Sequence, residues 1–117
     1  PFEKKKGWMD VAIPAGSGDD FYLLQLQKTL DDIKHRISPD IVLYDAGIDV
    51  FVGDGLGNLE ITREGIIKRD EMVLGNFHNR NIPVATVIGG GYSSDTQELA
   101  SRHAIIFNVA ASIYKIL

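Results

Sequence analysis

The stretch from Asp40 to Gly57, DIVLYDAGIDVFVGDGLG, constrains the fold of this chain more than any other segment. Ile41, Val42 and Leu43 form a continuous apolar run suited to a pleated strand, and Pro39 just before them cannot continue a helix. An apolar run without alternation reads as a strand buried on both faces, and such strands belong mainly to parallel sheets covered by helices. In sheets of that kind, ligands bind in the crevice beyond the carboxyl ends of the strands. Asp45, Asp49 and Asp54 all lie at or beyond that end.

The flanking sequence supplies the other layers. Trp8 to Ile13 alternates apolar and polar residues before Pro14, which predicts a first strand. Asp19 and Asp20 provide a cap and first-turn acids for a helix reaching Ile37, with Leu23, Leu26, Leu30, Ile33 and Ile37 at helical spacing. After the central strand at Ile41 to Tyr44, Thr62 predicts the N-cap of a second helix. That helix carries Ile66, Ile67, Val73, Leu74 and Phe77 and ends near Asn79 to Asn81. Pro83 to Ile88 predicts another strand, closed by three glycines and Tyr92. Ser94 and Gln97 make a capping-box pattern for a last helix whose apolar stripe runs through Leu99, His103, Ile106, Ala110, Ile113 and Leu117. The alternating order predicts a single α/β domain over residues 1–117, a three-layer α/β/α arrangement with parallel strands. So small a sheet leaves an edge open to pairing with another copy, a homo-oligomer contact.

Composition narrows what such a domain can do. At 117 residues and 44% hydrophobic, the chain can build one core. It has no cysteine, so a metal would need His, Asp or Glu ligands, and the composition suits a reducing cytoplasm. A net charge of -4 argues against a nucleic-acid partner, and the basic run Lys4 to Lys6 reads as a solvated entry segment. No apolar run approaches the roughly twenty residues of a membrane span, and no signal-peptide pattern opens the chain. The expectation is a soluble cytoplasmic protein without a membrane partner. The chain starts at Pro1 rather than methionine, which fits a processed end or a piece of a longer protein.

Two residues stand out chemically. Gly53, Gly55 and Gly57 bracket Asp54, so a short carboxylate can be aimed at a hard or borderline cation with little steric cost. Aspartates among glycines are equally turn residues that bond their own backbone, and the pattern leaves both readings open. Tyr92, beyond the neighbouring strand, would face the same crevice. Gly90 and Gly91 would let a substrate come close, and the tyrosine hydroxyl could hydrogen-bond a developing oxyanion. A structural tyrosine at a helix entrance is the other account. His103, on the apolar stripe, reads as a buried histidine satisfied by one hydrogen bond, while His35 and His78 lie near helix ends where a cation favours the dipole.

Asp45-Ala46-Gly47-Ile48-Asp49 followed by Gly53-Asp54-Gly55-Leu56-Gly57 resembles the histone deacetylase family, most of all its class IV branch and bacterial relatives. Gly89-Gly90-Gly91-Tyr92 resembles that family's second C-terminal signature, and Ile61-Thr62-Arg63-Glu64-Gly65-Ile66 the start of its connecting helix. The resemblance covers nearly the whole chain but only the later part of the family's catalytic domain, and it implies a partial arginase/deacetylase-like fold. It implies that Asp54 is one of the zinc ligands, that Tyr92 polarises the scissile amide carbonyl, and that Ile61 is an apolar wall of the acyl-lysine channel. Asp49 matches an acid kept for loop hydrogen bonding. The implied substrate is an acetyl-lysine or a small acetylated amine.

The same resemblance implies two further zinc ligands, an aspartate and a histidine one residue apart, and a tandem histidine pair as base. Neither arrangement occurs around His35, His78 or His103. One carboxylate does not make a catalytic zinc site. The leading expectation is therefore the C-terminal part of a zinc-dependent deacetylase, binding zinc weakly and inactive alone. The competing one is a free-standing α/β module without catalysis, binding an anion at its glycine loops or self-associating. The glycine spacing does not match the dinucleotide fingerprint.

Overall fold

The computed structural model describes residues 5–115. Five elements follow one another: α1 (Asp19–Arg36), β1 (Val42–Asp45), α2 (Arg63–Asn79), β2 (Val84–Val87) and α3 (Thr96–Tyr114). β1 and β2 pair in parallel, with Val42 opposite Val84, Leu43 opposite Ala85, Tyr44 opposite Thr86 and Asp45 opposite Val87. Because two parallel strands need a crossover between them, α2 lies in the connection and packs on the sheet. The α/β class and the parallel strands alternating with helices are as the sequence predicts.

Register decides which side chains reach the core. Val42, Tyr44 and Val84 share one face and pack with Leu26 and Leu30 of α1 and Val73 and Phe77 of α2. Ile105, Ile106 and Val109 of α3 join Ile66 and Leu74 of α2 and Ala46 and Ile48 beyond β1. The opposite face is bare: Leu43 is 81% exposed and Val87 60%. The central strand is thus covered on one face among the described residues, not on both. A short apolar run carries no period from which the number of covered faces can be read.

Trp8 to Ile13 forms no strand. Its alternation suits one, but a strand needs a neighbour to accept its ladder, and none of the described strands pairs with it. Trp8 remains 65% exposed, with the Arg36 guanidinium over its ring. Lys4 and Leu117 lie outside the described residues.

The helix ends follow local chemistry, with two shifts of role. Thr62 caps α2 as predicted, its hydroxyl oxygen accepting from the Gly65 N–H at 3.1 Å. Asp19 does not cap its own helix; it accepts hydrogen bonds from the backbone N–H and the hydroxyl of Thr62 and so ties α1 to the start of α2. α3 is capped by Asp95, not Ser94, through Oδ1 accepting from Gln97 N and Glu98 N at 3.1 Å each. Its most buried line runs through Arg102, Ile105, Ile106 and Val109, so the predicted stripe is rotated slightly toward α2.

Candidate functional site

Two loops leave the carboxyl ends of β1 and β2 and nest against each other. Ala46 N donates to Val87 O at 2.9 Å, and Ile48 N donates to Gly90 O at 2.8 Å, which continues the parallel pairing past the strands. Gly89 takes a φ of +57°. A side chain there would run into the Asp45 carboxylate and the backbone of Gly47. At Gly90 an added Cβ would sit 2.7 Å from Asp49 Oδ2, and at Gly91 2.6 Å from Ile48 Cγ1. From the sequence, Gly90 and Gly91 are expected to let a substrate come close. Asp49 and Ile48 occupy the side of these glycines where a side chain would stand, so the glycines let one loop seat on the other, and Gly91 still lines the open space beside Tyr92.

Asp54 lies at the centre of this arrangement. Gly53, at φ +80°, turns the chain, and the carboxylate is 8% exposed. Its Oδ1 accepts from Leu56 N and Gly57 N, each at 2.9 Å, and its Oδ2 accepts from Tyr92 N at 2.7 Å. Burial is the largest single influence on this carboxyl and pushes its pKa up. The donations from the Leu56, Tyr92 and Gly57 amides and the nearby Arg102 charge together outweigh burial and hold it below its ordinary value. The turn reading is the one seen: Asp54 bonds its own backbone through Oδ1, and its Oδ2 reaches across to the second loop. Gly55 N donates back to Tyr92 O at 3.2 Å, closing the link.

The Tyr92 side chain is half-exposed and lines an open depression of about 590 Å³ with Gly53, Leu56, Ser93 and Leu99. The Asp54 carboxylate and the Tyr92 backbone thus meet, while Tyr92 lines the depression and Asp54 is buried. Ile61 does not join them. It is fully buried, bridged to Phe51 and packed among Ile48 and Ile66, so in this structure it belongs to the core and presents no wall to the depression. The N–H groups of Leu56 and Gly57 already hold the Asp54 carboxylate. That leaves this glycine loop poorly suited to the anion-binding alternative.

A buried polar group beneath the loops was not legible in the sequence. Arg69 of α2, 4% exposed, donates to Gly47 O at 2.6 Å, Ala46 O at 3.2 Å and Asp70 Oδ1 at 2.9 Å. Tyr44 donates its hydroxyl to the same Asp70 oxygen at 2.6 Å. Burial pushes the Tyr44 phenol far above its ordinary value; the Arg69 charge opposes it and the Asp70 charge and hydrogen bond add to it, so this proton stays in place. The one sequence signal was an Arg-Asp pair between Ile66 and Val73, on the helix face that those residues turn inward.

His103 is half-buried, and its Nδ1 has no hydrogen-bond partner among the described residues, in place of the single bond expected. His35 and His78 are exposed. No group of three or more His, Asp or Glu residues among those described is placed to hold a metal ion. Asp54 is a single donor whose two oxygens already accept three amides, so these residues by themselves do not fit a catalytic zinc centre.

Parallel strands with a buried carboxylate and a tyrosine beyond adjacent carboxyl ends make this an α/β protein with part of the arginase/deacetylase fold. It superposes on acetylpolyamine aminohydrolase from Burkholderia pseudomallei with a TM-score of 0.73, over 89% of this chain and 28% of that one, at 19% identity. An HDAC homolog complexed with SAHA gives 0.70, over 90% and 26%, at 22% identity. The chain belongs to the histone deacetylase domain family, which it matches over residues 3–107. It is 40% identical over 114 residues to an uncharacterized protein of Picosynechococcus sp. and 35% identical over 103 residues to histone deacetylase 2 of Arabidopsis thaliana. These matches cover 97% and 82% of this chain, which spans 38% and 27% of the two relatives.

Proposed function

We propose that Asp54 and Tyr92 form one side of an amide-hydrolysing site that acts on an acetylated amine, either acetyl-lysine or a small acetylated amine, within a longer deacetylase. One observation carries the reading: Tyr92 N donates to Asp54 Oδ2 at 2.7 Å, joining two residues 38 apart in sequence beyond adjacent parallel strands. Family membership supports it, as do relatives whose names refer to histone deacetylases and to an acetylpolyamine aminohydrolase.

Hydrolysis of an acetylated amide moves negative charge onto the former carbonyl oxygen. A hydroxyl donor held at that oxygen stabilises the transition state more than the ground state. Tyr92 is suited to this role because its backbone is bound on both sides, by Asp54 and Gly55, while its ring stays open to the depression. A zinc ion would need further protein ligands beside Asp54, and the described residues hold no group of three or more His, Asp or Glu placed to bind one.

On this reading the 117-residue chain by itself has no turnover. A deacetylase assay on the purified chain, with an acetyl-lysine peptide and added zinc, checks this, and zinc-dependent hydrolysis would contradict it. The positive test begins with the intact mass of the native protein and peptide mapping upstream of residue 1. In an active native form, Tyr92→Phe is expected to lower kcat by about 10²- to 10³-fold with little change in KM, the scale of one lost oxyanion donor. An unchanged kcat would remove Tyr92 from the chemistry.

A further inference from the structure

We infer that Arg102 and His103, consecutive on α3, are positioning residues that hold the two site loops in register from below, Arg102 through Phe51 and His103 through Gly91. The inference rests on the reading of Asp54 and Tyr92 as the site, but its test does not depend on hydrolysis.

Arg102 is 4% exposed, and its guanidinium lies 4.2 Å from the centre of the Phe51 ring. Phe51 begins the Asp54 turn, since its carbonyl oxygen accepts from Asp54 N at 3.0 Å. The guanidinium's hydrogen bond and ion pair among the described residues lie on its own helix, with Nε 3.4 Å from Glu98 O and 3.6 Å from Glu98 Oε1. Burying a guanidinium is costly, and an apolar side chain would continue the buried line of Ile105, Ile106 and Val109 with less desolvation. A guanidinium suits this place because it lies over the Phe51 ring and sets a positive charge near the Asp54 carboxylate. One residue on, His103 turns to the other loop. An added Cβ at Gly91 would sit 3.0 Å from its Nε2 and 2.6 Å from Ile48 Cγ1, so imidazole and isoleucine both pack against the side of Gly91 where a side chain would stand, just before Tyr92. One turn of helix thus bears on both loops, and the Tyr92 to Asp54 hydrogen bond closes above it.

Amide hydrogen exchange on the 117-residue chain, resolved by residue, tests this. Arg102→Met should speed exchange at Leu56, Gly57 and Tyr92 about tenfold, the order expected when one hydrogen bond is lost, and leave α2 amides such as Val73 and Leu74 unchanged. Arg102→Lys, which keeps the charge but loses the guanidinium's contact with the ring, should recover only part of that protection. His103→Ala should act instead on Tyr92 and Gly55. Phe51→Leu should mimic Arg102→Met, and the double variant should be no worse than either single one. If Arg102→Met does not fold, Phe51→Leu carries the same test. The inference is overturned if loop amides keep their protection, if every slow amide loses protection by one common factor, or if the effects of the Arg102 and Phe51 substitutions add.

Discussion

Asp54 shows how one side chain can be both turn former and candidate site residue. Its carboxylate accepts three amides from two loops, so Asp54→Asn replaces one acceptor oxygen by a donor that faces an N–H. The substitution is expected to cost about 2 kcal/mol, read from urea unfolding at pH 7. Because the folded carboxyl is held below its ordinary value, its stabilisation is present above the unfolded pKa of about 3.9 and is lost as pH falls through the lower folded value. The gap between the parent chain and Asp54→Asn should therefore close in acid, and a gap that stays constant from pH 7 to pH 2 would rule out this assignment. Ile61 is the contrasting case. The motif places it at a channel wall, while its complete burial makes it part of the packing on which the loop rests.

Between elements, the junction of α1 and α2 depends on a close approach rather than on helix propensity. Gly65 lies in the first turn of α2, where alanine would be favoured by about 1 kcal/mol in an isolated helix. A Cβ there would collide with the Asp19 carboxylate and come within 2.8 Å of Ile61 Cγ2. Gly65→Ala is therefore expected to destabilise the fold by about 1–3 kcal/mol, in spite of propensity. Asp19→Ala alone should also destabilise, through its lost bonds to Thr62, but in the double variant much of the Gly65→Ala cost should disappear. Additive unfolding free energies would show that Asp19 is not what the new methyl group meets. The nested loops follow the same logic. Gly89, Gly90 and Gly91 are required by contact between elements, although in the sequence they look like a flexible approach for substrate.

For the molecule as a whole, the main consequence is the uncovered face of the sheet. Leu43 and Val87, with Ile41 at 57% exposure, present apolar side chains where parallel sheets are ordinarily covered by helices. Isolated in solution, the chain is expected to self-associate through this face and the adjoining strand edge. Sedimentation analysis over a range of concentrations should show a rising mass. Leu43→Lys should weaken the association by about tenfold or more, the scale of one buried leucine. A single monomeric mass at every concentration would exclude this contact. None of the described helices is long and apolar enough to cross a membrane.

Much of this architecture is legible from local signals. The helices announce themselves through apolar spacing, Thr62 through its place before Arg63, and the strands through their β-branched runs; the pairing of Asp54 with Tyr92 follows once both are placed beyond parallel strand ends. These features depend on residues a turn or a strand apart, and the chain carries them within itself. What tertiary contact alone decides is which of several locally acceptable outcomes is taken. Among the described residues, Trp8 to Ile13 alternates like a strand but finds no neighbour, and the apolar run of β1 is covered on one face only. Arg69 and Asp70 look like surface charges on a helix until the carbonyls of Ala46 and Gly47 and the Tyr44 hydroxyl arrive to receive or supply their hydrogen bonds. Burial and hydrogen-bond satisfaction are set by groups distant in sequence, so they become visible only when the elements have packed.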